Sequence, residues 1–166
     1  MKVNIALLTV TDTRTIDNDK SGGILVNKIK EANHNLIDRK ICKDNKNEIV
    51  IILKDWLKSN DIDVVITTGG TGLTGRDITP EALNEVAEKH IPGFGEIFRN
   101  LSLKTVGTSA IQSRACAVLS NGKYVFALPG SSGGVTDAWE RILKHQLDIN
   151  HKPCNFVELF PRLREK

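Results

Sequence analysis

The sequence predicts an α/β fold of three layers (α/β/α), in which helices cover both faces of a mostly parallel sheet that carries one antiparallel hairpin strand. Two observations support this prediction. Apolar segments of strand type alternate with segments of helical period along the chain. The dipeptide Asn121-Gly122, which favours a type I′ hairpin turn, separates two further apolar segments. With 166 residues, of which 40% are hydrophobic, we expect a single domain that spans residues 1–166.

Three pairs of a strand and a helix are predicted in the first half of the chain. The strands end near Val10, Ile41 and Thr68, and each is followed by apolar residues at helical spacing. The third strand is a β-branched segment that leads through a glycine-rich loop into its helix. We expect Thr79 to be the N-cap of that helix and Pro80 to be its first residue.

The second half of the chain adds a helix, a hairpin and a final helix. An apolar stripe follows Pro92-Gly93, and it packs either in the protein's own core or between subunits. The stripe consists of Phe94, Ile97, Phe98 and Leu101. The hairpin strands are predicted at residues 114–119 and 123–128, and the last helix follows residues 129–134.

The loops at the carboxyl ends of the predicted strands are expected to meet. In an open α/β sheet these ends share one edge, and ligands bind in the crevice outside it. The loops concerned are residues 9–14, 42–45, 69–77 and 129–134. A single ligand site formed by several loops is therefore predicted.

Composition and charge argue against two classes of partner. The net charge is only +3, and the chain has five Phe, two Trp and one Tyr, so we expect no nucleic-acid partner. The apolar start is too short to span a bilayer and lacks a signal-peptide cleavage pattern, so we expect a cytoplasmic protein and no membrane partner. The three Cys and four His lack metal-ligand spacing. We expect buried thiols, and we place His90 and His145 late in helices.

The glycine-rich loop after the third strand is the strongest functional signal. Gly69, Gly70 and Gly72 have no Cβ, which lets backbone amides approach an anion. Residues 70–75 match the pattern G-x-G-x-x-G, but the helix signal starts too late for a dinucleotide-binding fold. They also have the spacing of a Walker A loop, but Arg76-Asp77 replaces the required Lys-Ser/Thr. An aspartate beside phosphates indicates a divalent cation between them.

A second loop of this kind, residues 129–134, follows the hairpin and reads Pro-Gly-Ser-Ser-Gly-Gly. Each glycine by itself is also compatible with a tight turn. Two such loops with hydroxyl and carboxylate side chains at one sheet edge favour an anion site instead. Three acidic residues each have two interpretations, a role at the ligand site or a local structural role. For Asp12 and Asp19 the structural role is to cap or close turns, and for Glu81 it is to favour a helix N-terminus.

Several segments together resemble one known family. They are residues 67–72 (TTGGTG), 76–82 (RDITPEA), 91–96 (IPGFGE), 113–115 (SRA) and 128–130 (LPG). This combination resembles the molybdopterin-binding proteins of molybdenum cofactor synthesis. The closing residues 153–159 (PCNFVEL) are similar to those of the B-type members of that family. The resemblance covers nearly the whole chain, and the combination is more specific than any single glycine pattern.

The resemblance implies a cytoplasmic protein that forms a trimer or a pair of trimers and binds molybdopterin, a pterin dithiolene phosphate. Related members transfer AMP from Mg-ATP to the terminal phosphate of molybdopterin before molybdate insertion, so a molybdenum insertion enzyme is the protein partner it implies. By this resemblance Asp44 and Asp77 are the catalytic residues and the ligands of Mg²⁺. The residues assigned to ligand binding are Thr11, Ser21, Gly22, Gly69, Gly70, Thr71, Gly72, Ser113, Arg114, Pro129, Gly130 and Ser131.

One departure from the family pattern leaves more than one function open. Adenylyl-transferring members commonly have Leu-Pro-Gly-Asn-Pro at the second loop, whereas here Ser131-Ser132 follows Leu128-Pro129-Gly130. Without the second proline the loop is expected to be freer in conformation. The first function is adenylyl transfer, and the second is that of a non-catalytic carrier that delivers molybdopterin to the insertion enzyme. A phosphate-binding sugar or nucleotide enzyme on a similar fold is a more distant third.

Overall fold

A computed structural model describes residues 1–165 of the chain, and its centre is one six-stranded sheet. The strands are β1 (Asn4–Val10), β2 (Asn35–Cys42), β3 (Val64–Thr68), β4 (Lys89–His90), β5 (Cys116–Ser120) and β6 (Lys123–Leu128). Their order across the sheet is β2-β1-β3-β6-β5-β4. The first four strands in this order are parallel, β5 is antiparallel to β6, and β4 is antiparallel to β5. The predicted mixed α/β sheet is confirmed.

Helices cover both faces of this sheet. They are α1 (Lys20–Glu31), α2 (Lys46–Lys58), α3 (Thr79–Val86), α4 (Pro92–Val106), α5 (Ser132–Ala138) and α6 (Lys144–Gln146). A π-helical turn, Trp139–Leu143, joins α5 to α6, and 3₁₀ turns occupy Gly107–Gln112 and Val157–Arg162. One layer contains α1, α4 and α5, and the opposite layer contains α2 and α3. None of the helices within residues 1–165 is long and apolar enough to cross a membrane.

The sheet separates two apolar cores, which explains why its central strands are apolar throughout. Along β1, Ile5 and Leu7 face the layer of α1, α4 and α5, whereas Ala6 and Leu8 face α2 and α3. This alternation is the period of two that a strand imposes. Burial on both faces is typical of parallel strands between helix layers.

The hairpin turn is confirmed by its backbone angles. Asn121 and Gly122 have φ values of 47° and 67°, as a type I′ turn requires. The short edge strand β4 beyond the hairpin was not predicted. Because α3 ends at Val86, His90 lies in β4 and pairs with Val118, so its predicted place in a helix was wrong.

Two further local predictions are corrected. Thr79 is the first residue of α3 and Ile78 is its N-cap; the Thr79 hydroxyl donates instead to the Gly69 carbonyl at 2.9 Å. The expectation of buried thiols is right only for Cys42, since Cys154 is exposed and Cys116 is half-buried.

The apolar stripe of α4 divides between core and surface. Phe94 and Phe98 are buried, and the ring of Phe94 lies 5.2 Å from that of Phe126 in an edge-on arrangement. Ile97 is 54% exposed on the other side of the helix, and the large apolar side chains exposed beyond it are Leu103, Val106 and Ile111. Phe94, Phe98 and Leu101 of the stripe therefore pack in or against the core of their own chain, and Ile97 is exposed.

A buried carboxylate joins β1, α1 and β2. Asp19 is 4% exposed and is the N-cap of α1, where it accepts from the Gly22 N–H at 3.0 Å. It also accepts from Thr9 Oγ1 at 2.6 Å and from Arg39 Nη2 at 3.1 Å. Burial raises the pKa of Asp19, but these hydrogen bonds outweigh it and hold the pKa below 3.8. The capping interpretation of Asp19 therefore accounts for its position.

We predict that Asp19→Asn lowers the free energy of unfolding at pH 7 by about 3 kcal/mol, because a buried ionic hydrogen-bond network loses its charge. A carboxyl with a depressed pKa stabilises the fold above its unfolded pKa of 3.8, and this stabilisation is lost as the pH falls through the lower folded value. The difference between variant and wild type in urea unfolding should therefore narrow below pH 3.8. The exposed Asp17→Asn is the control. Equal stability of Asp19→Asn and wild type at pH 7 would contradict this assignment.

Candidate functional site

Two adjoining cavities lie where the parallel strands end. The large cavity has a volume of about 940 Å³ and is bounded by residues 70–77, by α4 with the 3₁₀ turn after it, and by residues 129–137. The small cavity has a volume of about 380 Å³ and lies between the ends of β1 and β3 and the start of α1. Gly70, Gly130 and Ser131 line both cavities and form their shared wall.

Most of the residues assigned from the sequence line one cavity or the other. The large cavity includes Gly70, Thr71, Gly72, Asp77, Ser113, Pro129, Gly130 and Ser131. The small cavity includes Thr11, Ser21, Asp44, Gly69, Gly70, Gly130 and Ser131. The structure thus brings together side chains and backbone from all four loops at the sheet edge.

Gly22 and Arg114 do not line either cavity. Gly22 is buried beneath the Asp19 carboxylate, and a Cβ at this position would lie 2.0 Å from Asp19 Oδ2. Arg114 donates from Nε to the Gly72 carbonyl at 2.6 Å and from Nη2 to the Asp77 carbonyl at 2.7 Å. Its Nη1 pairs with Glu81, whose pKa this hydrogen bond lowers. Both residues therefore support the site from behind.

Gly69 and Gly70 of the glycine loop 69–72 lie too close to neighbouring atoms to carry side chains. Gly69 and Gly70 have φ values of 101° and 65°, which favour glycine. A Cβ on Gly69 would lie 2.2 Å from the Val10 carbonyl oxygen, and one on Gly70 would lie 2.5 Å from Thr79 Oγ1. Gly130 packs on the other side, since its own Cβ would lie 3.3 Å from the Gly69 Cα. The ends of β1, β3 and β6 therefore approach each other closely at these glycines, and the Thr68 hydroxyl donates to the Pro129 carbonyl at 2.7 Å between β3 and the loop after β6.

Asp77 is fixed inside its own loop with its carboxylate at the large cavity. Its Oδ2 accepts from the Thr74 N–H at 2.9 Å and from Thr74 Oγ1 at 2.7 Å. Burial raises its pKa, but these bonds, the Gly72 N–H and the charge of Arg114 outweigh it, so the pKa lies below 3.8 and the group is ionised. No side chain caps α3 within the described residues, so Asp77 does not act as its cap.

Asp44 lies on the other side of the same glycine loop. Its Oδ1 would be 3.3 Å from a Cβ on Gly70, whereas Asp77 Oδ2 would be 2.8 Å from a Cβ on Gly72. Burial raises the pKa of Asp44, and the negative charges of Asp12 and Asp77 raise it further, although Arg76 opposes them. The two carboxylates therefore flank the glycine loop, and the negative charge of Asp77 helps to raise the pKa of Asp44.

Two charged residues of the cavity walls were missed by sequence reasoning. Arg14 lines the small cavity, and Asp137 lines the large cavity, where it receives a hydrogen bond from Thr105 Oγ1 at 3.4 Å. Arg14 lies within the loop 9–14 that was expected at the site, so its position was a usable signal. Asp137 is brought to the cavity by the packing of α5 against α4, which has no local sequence signal.

Comparison with known proteins identifies the family. Residues 6–149 match the model of a family described as a probable molybdopterin binding domain. The chain belongs to this family. It is 45% identical over 152 residues to molybdenum cofactor biosynthesis protein B of Escherichia coli K12, covering 92% of this chain and 89% of that relative.

Solved structures agree with this family membership. A crystal structure of a molybdenum cofactor biosynthesis protein B superposes with a TM-score of 0.90 at 38% identity, covering 100% of this chain and 98% of the other. The tungsten cofactor synthesizing protein MoaB from Pyrococcus furiosus superposes with a TM-score of 0.78 at 35% identity, covering 87% of this chain and 92% of the other. The family resemblance of the sequence motifs is thereby confirmed.

We predict that Arg114→Gln loosens the loop 72–77 in this molybdopterin-binding domain. The variant loses the hydrogen bonds to the Gly72 and Asp77 carbonyls and the ion pair with Glu81. Amide hydrogen exchange of Thr74 and Asp77 should become about 10-fold faster or more, since one charged hydrogen bond contributes about 1.5–3 kcal/mol. Arg162→Gln, at an exposed ion pair far from the loop, should leave these two rates unchanged. Unchanged exchange in Arg114→Gln would show that the loop does not depend on this side chain.

Proposed function

We propose that this protein binds molybdopterin in the crevice of the two cavities and transfers AMP from Mg-ATP to its terminal phosphate. The observation that carries the proposal is the pair of carboxylates, Asp44 and Asp77, on opposite sides of the glycine loop that separates the cavities. Membership of a molybdopterin-binding family supports the choice of pterin ligand. Relatives named for molybdenum cofactor biosynthesis support the pathway.

The reaction needs positioning and charge neutralisation more than a strong base. An oxygen of the molybdopterin phosphate forms a bond to the α-phosphorus of ATP, the bond from that phosphorus to the oxygen bridging to the β-phosphate breaks, and pyrophosphate leaves. In such transfers most of the rate enhancement comes from aligning the reacting oxygens and balancing their charge. Gly70 and Gly130 in the shared wall suit this step, because backbone without a side chain at these two positions lets two phosphates approach each other.

The carboxylates fit a magnesium ion that arrives with ATP. Magnesium is usually held by one or two carboxylates, with substrate phosphate oxygens and water as its other ligands. Within residues 1–165 no group of three or more His, Cys, Asp or Glu is arranged to hold a metal by itself, which matches an ion completed by substrate. The raised pKa of Asp44 comes from burial and from the negative charges of Asp12 and Asp77. A bound cation relieves this repulsion, and Asp44 and Asp77 would be its protein ligands.

The large cavity suits the pterin part of the ligand. Its wall includes the apolar side chains of Phe98 and Val106 and the hydroxyl groups of Ser102 and Thr105. A volume of about 940 Å³ falls within the range of small-molecule sites, which is about 300–1,000 Å³. Ser113 and Ser131 lie at the end that adjoins the glycine loop, where they can bind polar groups of the pterin side.

The second candidate function is that of a carrier that binds molybdopterin without turnover and delivers it to a molybdenum insertion enzyme. The observation that favours it is the second loop, which has Ser131 and Ser132 after Gly130 in place of Asn-Pro. One hydrogen bond restrains this loop, because Ser131 Oγ accepts from the Gly134 N–H at 3.1 Å as the N-cap of α5. The loop is therefore less free than its composition indicates, which keeps adenylyl transfer as the first candidate.

We also propose that the protein works as a homo-oligomer of threefold symmetry. Leu103 and Ile111 are more than half exposed and line the same surface pocket beside α4, and an exposed apolar surface of this kind is typical of subunit interfaces. Light scattering should give at least three times the chain mass of 18.3 kDa. A monomer at micromolar concentration would contradict this proposal.

We predict that Gly72→Val weakens molybdopterin binding by about 10-fold or more, because its Cβ would lie 2.8 Å from Asp77 Oδ2 and displace that carboxylate. The matched control is Gly75→Val in the same loop, where a Cβ meets nothing within 4 Å. Fluorescence titration of both folded variants with molybdopterin measures the effect. Equal affinity of the two variants for molybdopterin would place the ligand away from this loop.

We predict that Asp77→Asn reduces pyrophosphate release from Mg-ATP and molybdopterin by about 10²-fold or more, because a charged magnesium ligand is lost. Pterin binding should change little. Asp55→Asn on the exposed face of α2 is the matched control and should keep wild-type rates. If wild type and Asp77→Asn turn over equally fast, Asp77 has no part in the mechanism. If the wild type releases no pyrophosphate, the carrier function replaces the transferase.

A further inference from the structure

The two cavities differ in the charge of their walls. Among residues 1–165, the large cavity is lined by the carboxylates of Asp77 and Asp137 and by no Lys, Arg or His. The small cavity is lined by the guanidinium of Arg14 together with Asp44. A phosphate-bearing ligand therefore meets a positive side chain only in the wall of the small cavity.

Arg14 is held at the small cavity by neutral groups. Its Nη1 donates to Ser21 Oγ at 3.2 Å and to the Gly130 carbonyl at 3.3 Å. These two bonds join the loop after β1 to the start of α1 and to the shared wall of the cavities. The guanidinium is thus positioned beside the shared wall by acceptors that do not neutralise it.

The one carboxylate within 4.0 Å of Arg14 in the described residues is that of Asp19, and it is already paired. Asp19 accepts from Thr9 and Gly22 and lies 3.1 Å from Arg39, whereas Arg14 lies 4.0 Å away. Within residues 1–165 no hydrogen bond engages Nε or Nη2 of Arg14. Because the side chain is also 40% exposed, these donors can bind an anion without breaking another ion pair.

The other groups of the small cavity suit the same ligand. Thr11 and Thr13 place hydroxyl groups in its wall, whereas the Ser21 hydroxyl already donates to Asp19 Oδ1 at 3.2 Å. A guanidinium recognises two phosphate oxygens at once through parallel N–H donors, and hydroxyl groups supply further donors. This combination of a positive fork and hydroxyl groups is typical of phosphate recognition.

We propose that Arg14 binds a phosphate group of the ligand in the small cavity, beside the wall that both cavities share. The proposal rests on the proposed function, in which both substrates carry phosphate. Either source supplies the same chemistry, a phosphate with two free oxygens. The two sources are the terminal phosphate of the pterin and the polyphosphate of Mg-ATP. Titrations with pterin and adenosine probes, each with and without phosphate, distinguish them.

The test compares ligands that differ only in phosphate. Calorimetric titrations use 6-hydroxymethylpterin and its monophosphate, and adenosine and ATP with Mg²⁺, against wild type, Arg14→Gln and Arg14→Lys. We expect Arg14→Gln to weaken binding of one phosphorylated probe by about 10- to 100-fold and to leave its unphosphorylated partner unchanged. Arg14→Lys should weaken binding of that phosphorylated probe less than Arg14→Gln does, since lysine keeps the positive charge but lacks the parallel N–H donors of a guanidinium. Arg162→Gln, outside both cavities, should bind every probe as the wild type does.

The probe that responds identifies which phosphate Arg14 binds. Equal loss for a phosphorylated probe and its partner would overturn the proposal, because Arg14 would then only hold the loops in place. Unchanged binding of both phosphorylated probes to Arg14→Gln would overturn it too, as would a wild type that gains no affinity from either phosphate. These titrations need no turnover. A wild type that releases no pyrophosphate but shows the Arg14 effect therefore removes the transferase function and leaves this assignment standing.

Discussion

The close approach of three strand ends at Gly69 is the constraint on which the site depends. The Gly69 N–H donates to the Leu128 carbonyl at 3.0 Å, and its Cα faces the Val10 carbonyl so closely that a Cβ would lie 2.2 Å from that oxygen. This contact fixes the end of β3 between those of β1 and β6. The loops 9–14, 69–77 and 129–134, which line the two cavities, all begin at this junction. A residue with a side chain here would separate the strands, and the two cavities would lose their shared wall.

The charged side chains around this junction form two groups, one that supports the loops and one that lines the cavities. Arg114 and Glu81 lie behind the loop 72–77 and fix its carbonyl groups, which leaves the Asp77 carboxylate at the cavity. Asp19 plays the same supporting part behind the loop after β1, with Arg39 as its partner. The charged side chains in the cavity walls are those of Asp44, Asp77, Asp137 and Arg14. A magnesium ion and phosphates can bind there without breaking the supporting pairs.

Local sequence signals predicted strands, turns and loops of the molecule, because these features depend on interactions over a few residues. The β-branched segment of β3, the turn at Asn121-Gly122 and the loop at 69–77 lie where their patterns indicated, whereas α5 begins at Ser132, inside the loop predicted at 129–134. Arg114 is predicted to bind the ligand, and the structure shows that it also donates to carbonyls more than 30 residues away in sequence. The predicted place of His90 in a helix was wrong, because pairing of β4 with β5 overrides the helical pattern of its residues. Such outcomes depend on long-range packing, which one sequence without its fold does not show.

The most direct test of adenylyl transfer follows the α-phosphorus of ATP itself. Wild-type protein in excess is mixed with molybdopterin and Mg-ATP labelled at the α-phosphate, and the products are separated after one turnover. The proposed reaction predicts that the label moves onto the pterin, with one pyrophosphate released for each label transferred. Label that stays in ATP, or that appears as free AMP while molybdopterin remains bound and unmodified, would contradict the proposed transfer.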